Sequence, residues 1–150
     1  FPDGAFDLIW REGAIFIIGF TQGLTEWRRL LAPNGHLVIS EFCWFVSDPP
    51  AELVELHFDG CADVGDVEAR RKAVALTGYR IVDEFVLPET GWWENFYVFL
   101  GEQLERFRKR YAGQTAALEV AARLQKEIDL YQKHLGAFGY VFFILQPEDK

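Results

Sequence analysis

The sequence predicts an α/β fold, and three observations carry that prediction. A strand-sized apolar run, Phe6-Asp7-Leu8-Ile9-Trp10, is followed by a helix-periodic segment, a Pro-Asn-Gly turn and a second run, His36-Leu37-Val38-Ile39-Ser40-Glu41-Phe42. The connection has the length that parallel strands need. Two further strand-sized runs, at 79–87 and 140–145, alternate with segments of helical period. Composition agrees: of 150 residues, 50% are apolar and 25% charged, enough for one domain with a real core.

Phe1-Pro2-Asp3-Gly4 reads as a turn leading into the first strand, the opening expected of a chain that continues something longer. The first strand, 6–10, is apolar enough to be buried on both faces of a parallel sheet. Thr21 is expected to cap a helix whose apolar positions are Leu24, Trp27, Leu30 and Leu31. Ala32-Pro33-Asn34-Gly35 stops it. After the second strand, a helix is expected near Pro50 and another over 66–77, ended by Gly78. The third strand, 79–87, alternates enough to lie nearer an edge. Residues 93–111 carry a stripe of Phe96, Leu100, Leu104, Phe107 and Tyr111. On the same segment Glu102 precedes Arg106 and Glu105 precedes Lys109 by one helical turn, an order that stabilises a helix and reads as a solvated face. A second helix, 115–135, turns Leu118, Ala121, Leu124, Ile128, Tyr131 and Leu135 inward. The last strand, 140–145, is nearly all apolar and so expected to be central.

The charge sum is −8 with pI about 4.9. No net positive field exists to attract a nucleic-acid backbone or an anionic membrane surface, so neither is the expected partner. Two cysteines, Cys43 and Cys61, make no disulfide framework and have no metal-ligand spacing, so no metal site is expected and a reducing, cytoplasmic setting is the simplest. His36 lies at the wrong end of its strand for a site, and His57 and His134 are lone histidines on helices. No Ser-His-Asp or Cys-His pattern appears.

The order and wording of the motifs resemble the C-terminal part of class I S-adenosylmethionine-dependent methyltransferases. The matching residues are 1–10, FPDGAFDLIW, and 27–37, WRRLLAPNGHL. The family commonly carries a phrase like F-P-D-x-S-F-D at its fourth strand and R-x-L-K-P-G-G before its fifth. Glu12-Gly13-Ala14-Ile15, Leu87-Pro88-Glu89, Trp92-Trp93-Glu94-Asn95 and Gly139-Tyr140-Val141-Phe142 look like a small-molecule subgroup. The resemblance implies a partial Rossmann-like methyltransferase sheet of about four strands. It would be mainly parallel, with the last strand antiparallel beside the third. It also implies a single domain over 1–150 with a helical insertion at about 93–135. The family holds its cofactor through a glycine-rich loop after the first strand and an acid ending the second. Gly13 and Gly19 do not make that fingerprint. The resemblance therefore implies the acceptor-side half, with the family's first three strands missing. The cofactor, S-adenosylmethionine, would be bound in the full-length parent, and the isolated chain is expected to be inactive.

Ligands in open α/β sheets bind beyond the carboxyl ends of the strands. Residues 11–15, 41–45 and 88–95 leave such ends and are expected to converge on one rim. Glu12, at the family's cofactor-adjacent position, is the candidate to orient the acceptor or act as a base. Arg11, Gly13, Ala14 and Ile15 are the cofactor-adjacent candidates. Glu41, Trp44, Trp92, Trp93 and Tyr97 are the candidates for binding a small-molecule methyl acceptor, since aromatic walls exclude water and accommodate a sulfonium cation. Trp92 and Trp93 stand out because adjacent loop side chains do not easily face one core. An alternative is a non-catalytic interaction module that pairs through the edge near Phe6–Trp10, as a homodimer or by strand exchange.

Overall fold

A computed structural model describes residues 1–57 and 64–148. Its four strands are β1 (Phe6–Glu12), β2 (Leu31–Trp44), β3 (Tyr79–Val86) and β4 (Phe138–Pro147), in the order β1-β2-β4-β3. β1 and β2 are parallel; β4 runs antiparallel between β2 and β3. The helices are α1 (Phe20–Arg28), α2 (Ala51–His57), α3 (Val67–Leu76), α4 (Glu89–Trp92), α5 (Val98–Arg110) and α6 (Thr115–Lys133). This is the expected α/β sheet, with the last strand antiparallel and central and the third at an edge.

The alternation of β2 divides the core in two. Leu37, Ile39 and Cys43 face one side, with Val141, Phe143 and Leu145 of β4, and are covered by α1 and α3 through Phe20, Leu24 and Val74. Phe42 and Trp44 face the other side, with Phe138, and are covered by the helices between β3 and β4. A register break between Ile81 and Asp83 swaps the faces of β3. Tyr79 belongs to the first layer, whereas Phe85 stacks on Phe142 in the second.

Three local expectations are corrected. Thr21 does not cap α1: Gly19 (φ +90°) holds the cap position, two residues earlier, so that Phe20 starts the helix and enters the core. Leu30 and Leu31 lie beyond the end of α1, because β2 pairing already starts at Leu31. The register with β1 then jumps from Phe6↔Leu31 to Leu8↔His36, and residues 32–35 loop out. Gly35 is required there, since a Cβ would lie 2.9 Å from the Ala32 carbonyl oxygen. The first strand is not buried on both faces: Ile9 packs on the α1–α3 layer, whereas Leu8, 51% exposed, and Trp10, 58% exposed, alternate to the other face, where the second core cluster does not reach β1. α3 keeps its expected bounds. Asp66 caps it by accepting from the Ala69 N–H at 2.7 Å, and Gly78 (φ +77°) follows its end.

Surface charges tie the outer helices down. Lys133 donates to Glu52 at 2.6 Å and His134 contacts the same carboxylate, joining α2 to α6. Arg71 of α3 grips Glu84 of β3, with Nε 3.0 Å from Oε2. These donors hold both carboxyls below their ordinary 4.5, Lys133 acting first on Glu52 and Arg71 on Glu84. Their contribution is complete above the unfolded value and is lost as pH falls through the lowered folded ones. We therefore expect the urea midpoint to decline below about pH 4.5, and Glu52→Gln to flatten that decline slightly, since exposed pairs contribute little. Among the described residues, no ion pair joins Glu102 to Arg106 or Glu105 to Lys109. Among the described residues, no helix is long and apolar enough to cross a membrane.

Candidate functional site

The carboxyl ends of β1 and β2 lie side by side, with Glu12 level with Ser40. The chain leaves β1 through Gly13, whose N–H is 2.9 Å from the Ser40 hydroxyl and 3.3 Å from its carbonyl oxygen. Gly13 adopts φ +53°, and a Cβ there would lie 3.3 Å from the Tyr140 hydroxyl. This turn therefore needs glycine twice, for its backbone angle and for the phenol beside it. Gly13→Ala should cost about 1–2 kcal/mol, seen as a lowered thermal midpoint.

Tyr140, on the strand inserted between β2 and β3, links this turn to the helical side. Its ring lies 5.1 Å from that of Trp92. Trp92 stacks on Tyr97 at 5.8 Å, and Trp93 lies flat against Tyr131 at 6.3 Å. The expectation that Trp92 and Trp93 sit on a loop and face apart is corrected. Helix begins at Glu89, and a wide turn of π geometry over Trp93–Tyr97 rotates both indoles onto one aromatic layer. The Trp92 Nε1 is buried and has no hydrogen-bond partner among the described residues.

Tyr97 is fully buried and donates from its hydroxyl to Glu127 Oε1 at 3.2 Å. Burial pushes the Glu127 carboxyl above its ordinary value, the Tyr97 hydrogen bond pulling the other way. Burial also raises Tyr97 and Tyr131, so both phenols stay protonated.

The other candidates divide by position. Glu12 is exposed at the rim and accepts a hydrogen bond from the Trp10 indole at 2.5 Å. Arg11 is also exposed, and Ala14 half-buried. The Ile15 side chain is fully buried against α1, where Gly23 leaves room for it: a Cβ at Gly23 would lie 2.8 Å from Ile15. Only backbone of that residue is left to face a ligand. Trp44 is a core side chain, 5.9 Å from Phe138. Glu41 is likewise buried, on the opposite sheet face, with Arg70 Nη2 3.6 Å away. Trp44 belongs to the same core cluster as Tyr97 and Tyr131, whereas Glu41 lies on the other face of the sheet. Cys43 is a buried thiol pushed up to about 12 by desolvation, against the pull of Arg70, and so is not a nucleophile. Cys61 and the His57 side chain lie outside the described residues. Among the described residues, no cluster of three potential metal ligands occurs.

Sequence reasoning missed Ser40, Glu127 and Tyr131 as members of this region. Ser40 had a signal, a lone hydroxyl within an apolar strand. Glu127 had none, since a carboxylate one turn from Arg123 looks like any solvated helix position.

The fold is shared with solved S-adenosylmethionine-dependent methyltransferases. The chain is similar to a methyltransferase from Geobacter sulfurreducens solved with S-adenosylhomocysteine: TM-score 0.79, 20% identity, covering 99% of this chain and 61% of that one. It is similar to the cyclase SpnF, with TM-score 0.70, 17% identity, and coverage of 100% and 52%. It is also similar to a phosphoethanolamine N-methyltransferase from Haemonchus contortus in complex with phosphomonomethylethanolamine and S-adenosylhomocysteine. There the TM-score is 0.70, identity 17%, and coverage 99% and 35%. The chain thus spans about a third to three fifths of these proteins' lengths. No protein-family model matches the sequence, and no curated protein matches it.

Proposed function

We propose that this chain is the acceptor-side part of a small-molecule methyltransferase that uses S-adenosylmethionine and acts only when joined to the remainder of the fold. The observation that supports this most is the rim itself. A positive-φ glycine turn, an exposed carboxylate and an aromatic layer meet at the carboxyl ends of β1 and β2, in a fold shared with methyltransferases. A fold alone does not define a reaction, as the cyclase shows. In this reading 1–150 is one domain, and 93–135 is an insertion between β3 and β4 that walls the acceptor site.

The residues present fit one side of the cofactor: the turn at Gly13 leaves the carboxyl end of β1, and the faces of Tyr140 and Trp92 beside it suit a sulfonium cation. They do not include the glycine-rich strand–loop–helix that would hold the rest. When bound, the cofactor supplies an electrophilic methyl group. Glu12 orients the acceptor's nucleophile or takes its proton at the exposed carboxylate. Trp92, Trp93 and Tyr97 give the acceptor an apolar wall, holding it in line and keeping water out. Fusing the N-terminal part of the Geobacter methyltransferase to this chain should yield methyl transfer on some member of a broad acceptor panel. In that fusion Glu12→Gln should lower kcat by about 10²-fold or more. A well-folded fusion inactive on every acceptor would contradict the proposal.

A second reading has its own observation. β1 has an open edge, and Leu8, Trp10, Phe16 and Ile17 are exposed along and beside it. Such an edge is a template for strand pairing. This reading expects concentration-dependent dimers in sedimentation that Leu8→Lys disperses. A strict monomer across micromolar concentrations would sink it.

A further inference from the structure

The tip of the helical pair contains a groove that the proposed reaction does not use. Its volume is about 350 Å³, within the about 300–1,000 Å³ of small-molecule sites. Leu100, Leu104 and Phe107 of α5 line one wall, and Val120, Ala121 and Leu124 of α6 the other. Arg106 and Arg110, one helical turn apart on α5, stand on its border.

Two facts give this border a meaning. First, the two guanidinium groups are uncommitted. Among the described residues neither forms an ion pair, and Arg110 only lies over the Tyr111 ring at 5.5 Å. Their neighbour Arg108 is used structurally instead, donating to the Ala121 carbonyl at 3.3 Å and Gln125 at 3.2 Å. Second, the charge is segregated. At the groove itself, residues 106–110 hold four basic side chains, Arg106, Arg108, Lys109 and Arg110, and no acidic one, in a chain of net charge −8. An otherwise acidic protein thus presents a local positive field beside an apolar slot.

We infer that the α5–α6 groove binds a free single-chain amphiphile with an anionic head group. The chain lies between Leu100, Phe107, Val120 and Leu124, which keep exposed apolar surface, and its burial is driven by the hydrophobic effect. The head group sits on Arg106 and Arg110, whose forked donors match a phosphate or carboxylate. The inference is independent of methyl transfer.

The test is calorimetric titration of this chain with dodecyl phosphate, below its micellar concentration, beside dodecyltrimethylammonium. Dodecyl phosphate should bind one to one and weaken as salt is raised. The cationic analogue should bind at least about tenfold more weakly. Arg106→Gln with Arg110→Gln should lower dodecyl phosphate affinity by about tenfold. Val120→Trp should abolish binding by filling the groove; Val120 is 55% exposed, so the fold tolerates the change. Equal affinity for both head groups, no binding, or unchanged binding in Val120→Trp would overturn the inference. A dimer that Val120→Trp disperses would also overturn it, by making a second copy the occupant.

Discussion

Arg70→Met should lower the unfolding free energy by about 3–5 kcal/mol, the loss typical of breaking a buried ion pair from one side. Glu41 is 2% exposed and Arg70 3%, and they face each other across the layer between β2 and α3. The Arg70 guanidinium also lies 4.7 Å over the Phe20 ring, which joins α1 to the same layer. Removing it leaves the Glu41 carboxylate without its guanidinium and Phe20 without its cation. The pair is unlike a surface bridge, because the cost lies in stranding a charge away from water and not in the attraction lost. A double variant, Arg70→Met with Glu41→Gln, should therefore recover a good part of the loss. Urea unfolding of the two single variants and the double variant measures this coupling directly. Additive losses would show that the two side chains are energetically independent.

Tyr97→Ala should cost about 3–5 kcal/mol, as for other buried aromatic truncations. Tyr97 is 1% exposed and touches the rings of Trp92, Trp93, Phe96 and Tyr131. It stands at the junction of the wide turn and α5, so its loss unseats both indoles together. Near-ultraviolet circular dichroism should lose the contribution of those indoles, two of the chain's five, before far-ultraviolet helicity falls. Tyr97→Phe keeps the ring and removes only the hydrogen bond to Glu127, so its cost should be about 1 kcal/mol. Similar losses for the two variants would mean that the hydroxyl, and not the ring packing, organises the layer.

Most of the architecture was legible because it rests on local signals. Apolar runs located the strands, although β2 begins at Leu31, ahead of the Pro33–Gly35 turn expected to precede it. Gly78 and Asp66 bounded α3, and the near-continuous apolarity of 140–145 marked β4 as central. What failed to read depends on contacts distant in sequence. Phe20 starts α1 because the core accepts it, whatever Thr21's capping preference. Leu8 and Trp10 look buried by composition and are exposed because the second core cluster does not reach their face of β1. The candidate region was half legible. Its aromatic members stand out by type, but their common layer depends on a turn of π geometry that no spacing announces. Glu41 and Trp44 belong by sequence to a strand end, yet the period of two sends Glu41 to the opposite face and packs Trp44 into the core.

Titration calorimetry of S-adenosylmethionine tests the central claim most directly, run on this chain alone and on its fusion to the N-terminal part of a structural neighbour. The isolated chain should give no saturable heat up to millimolar cofactor, and the fusion should bind saturably. Saturable micromolar binding by the isolated chain would contradict that claim, for the residues present would then form a complete cofactor site without the glycine-rich half.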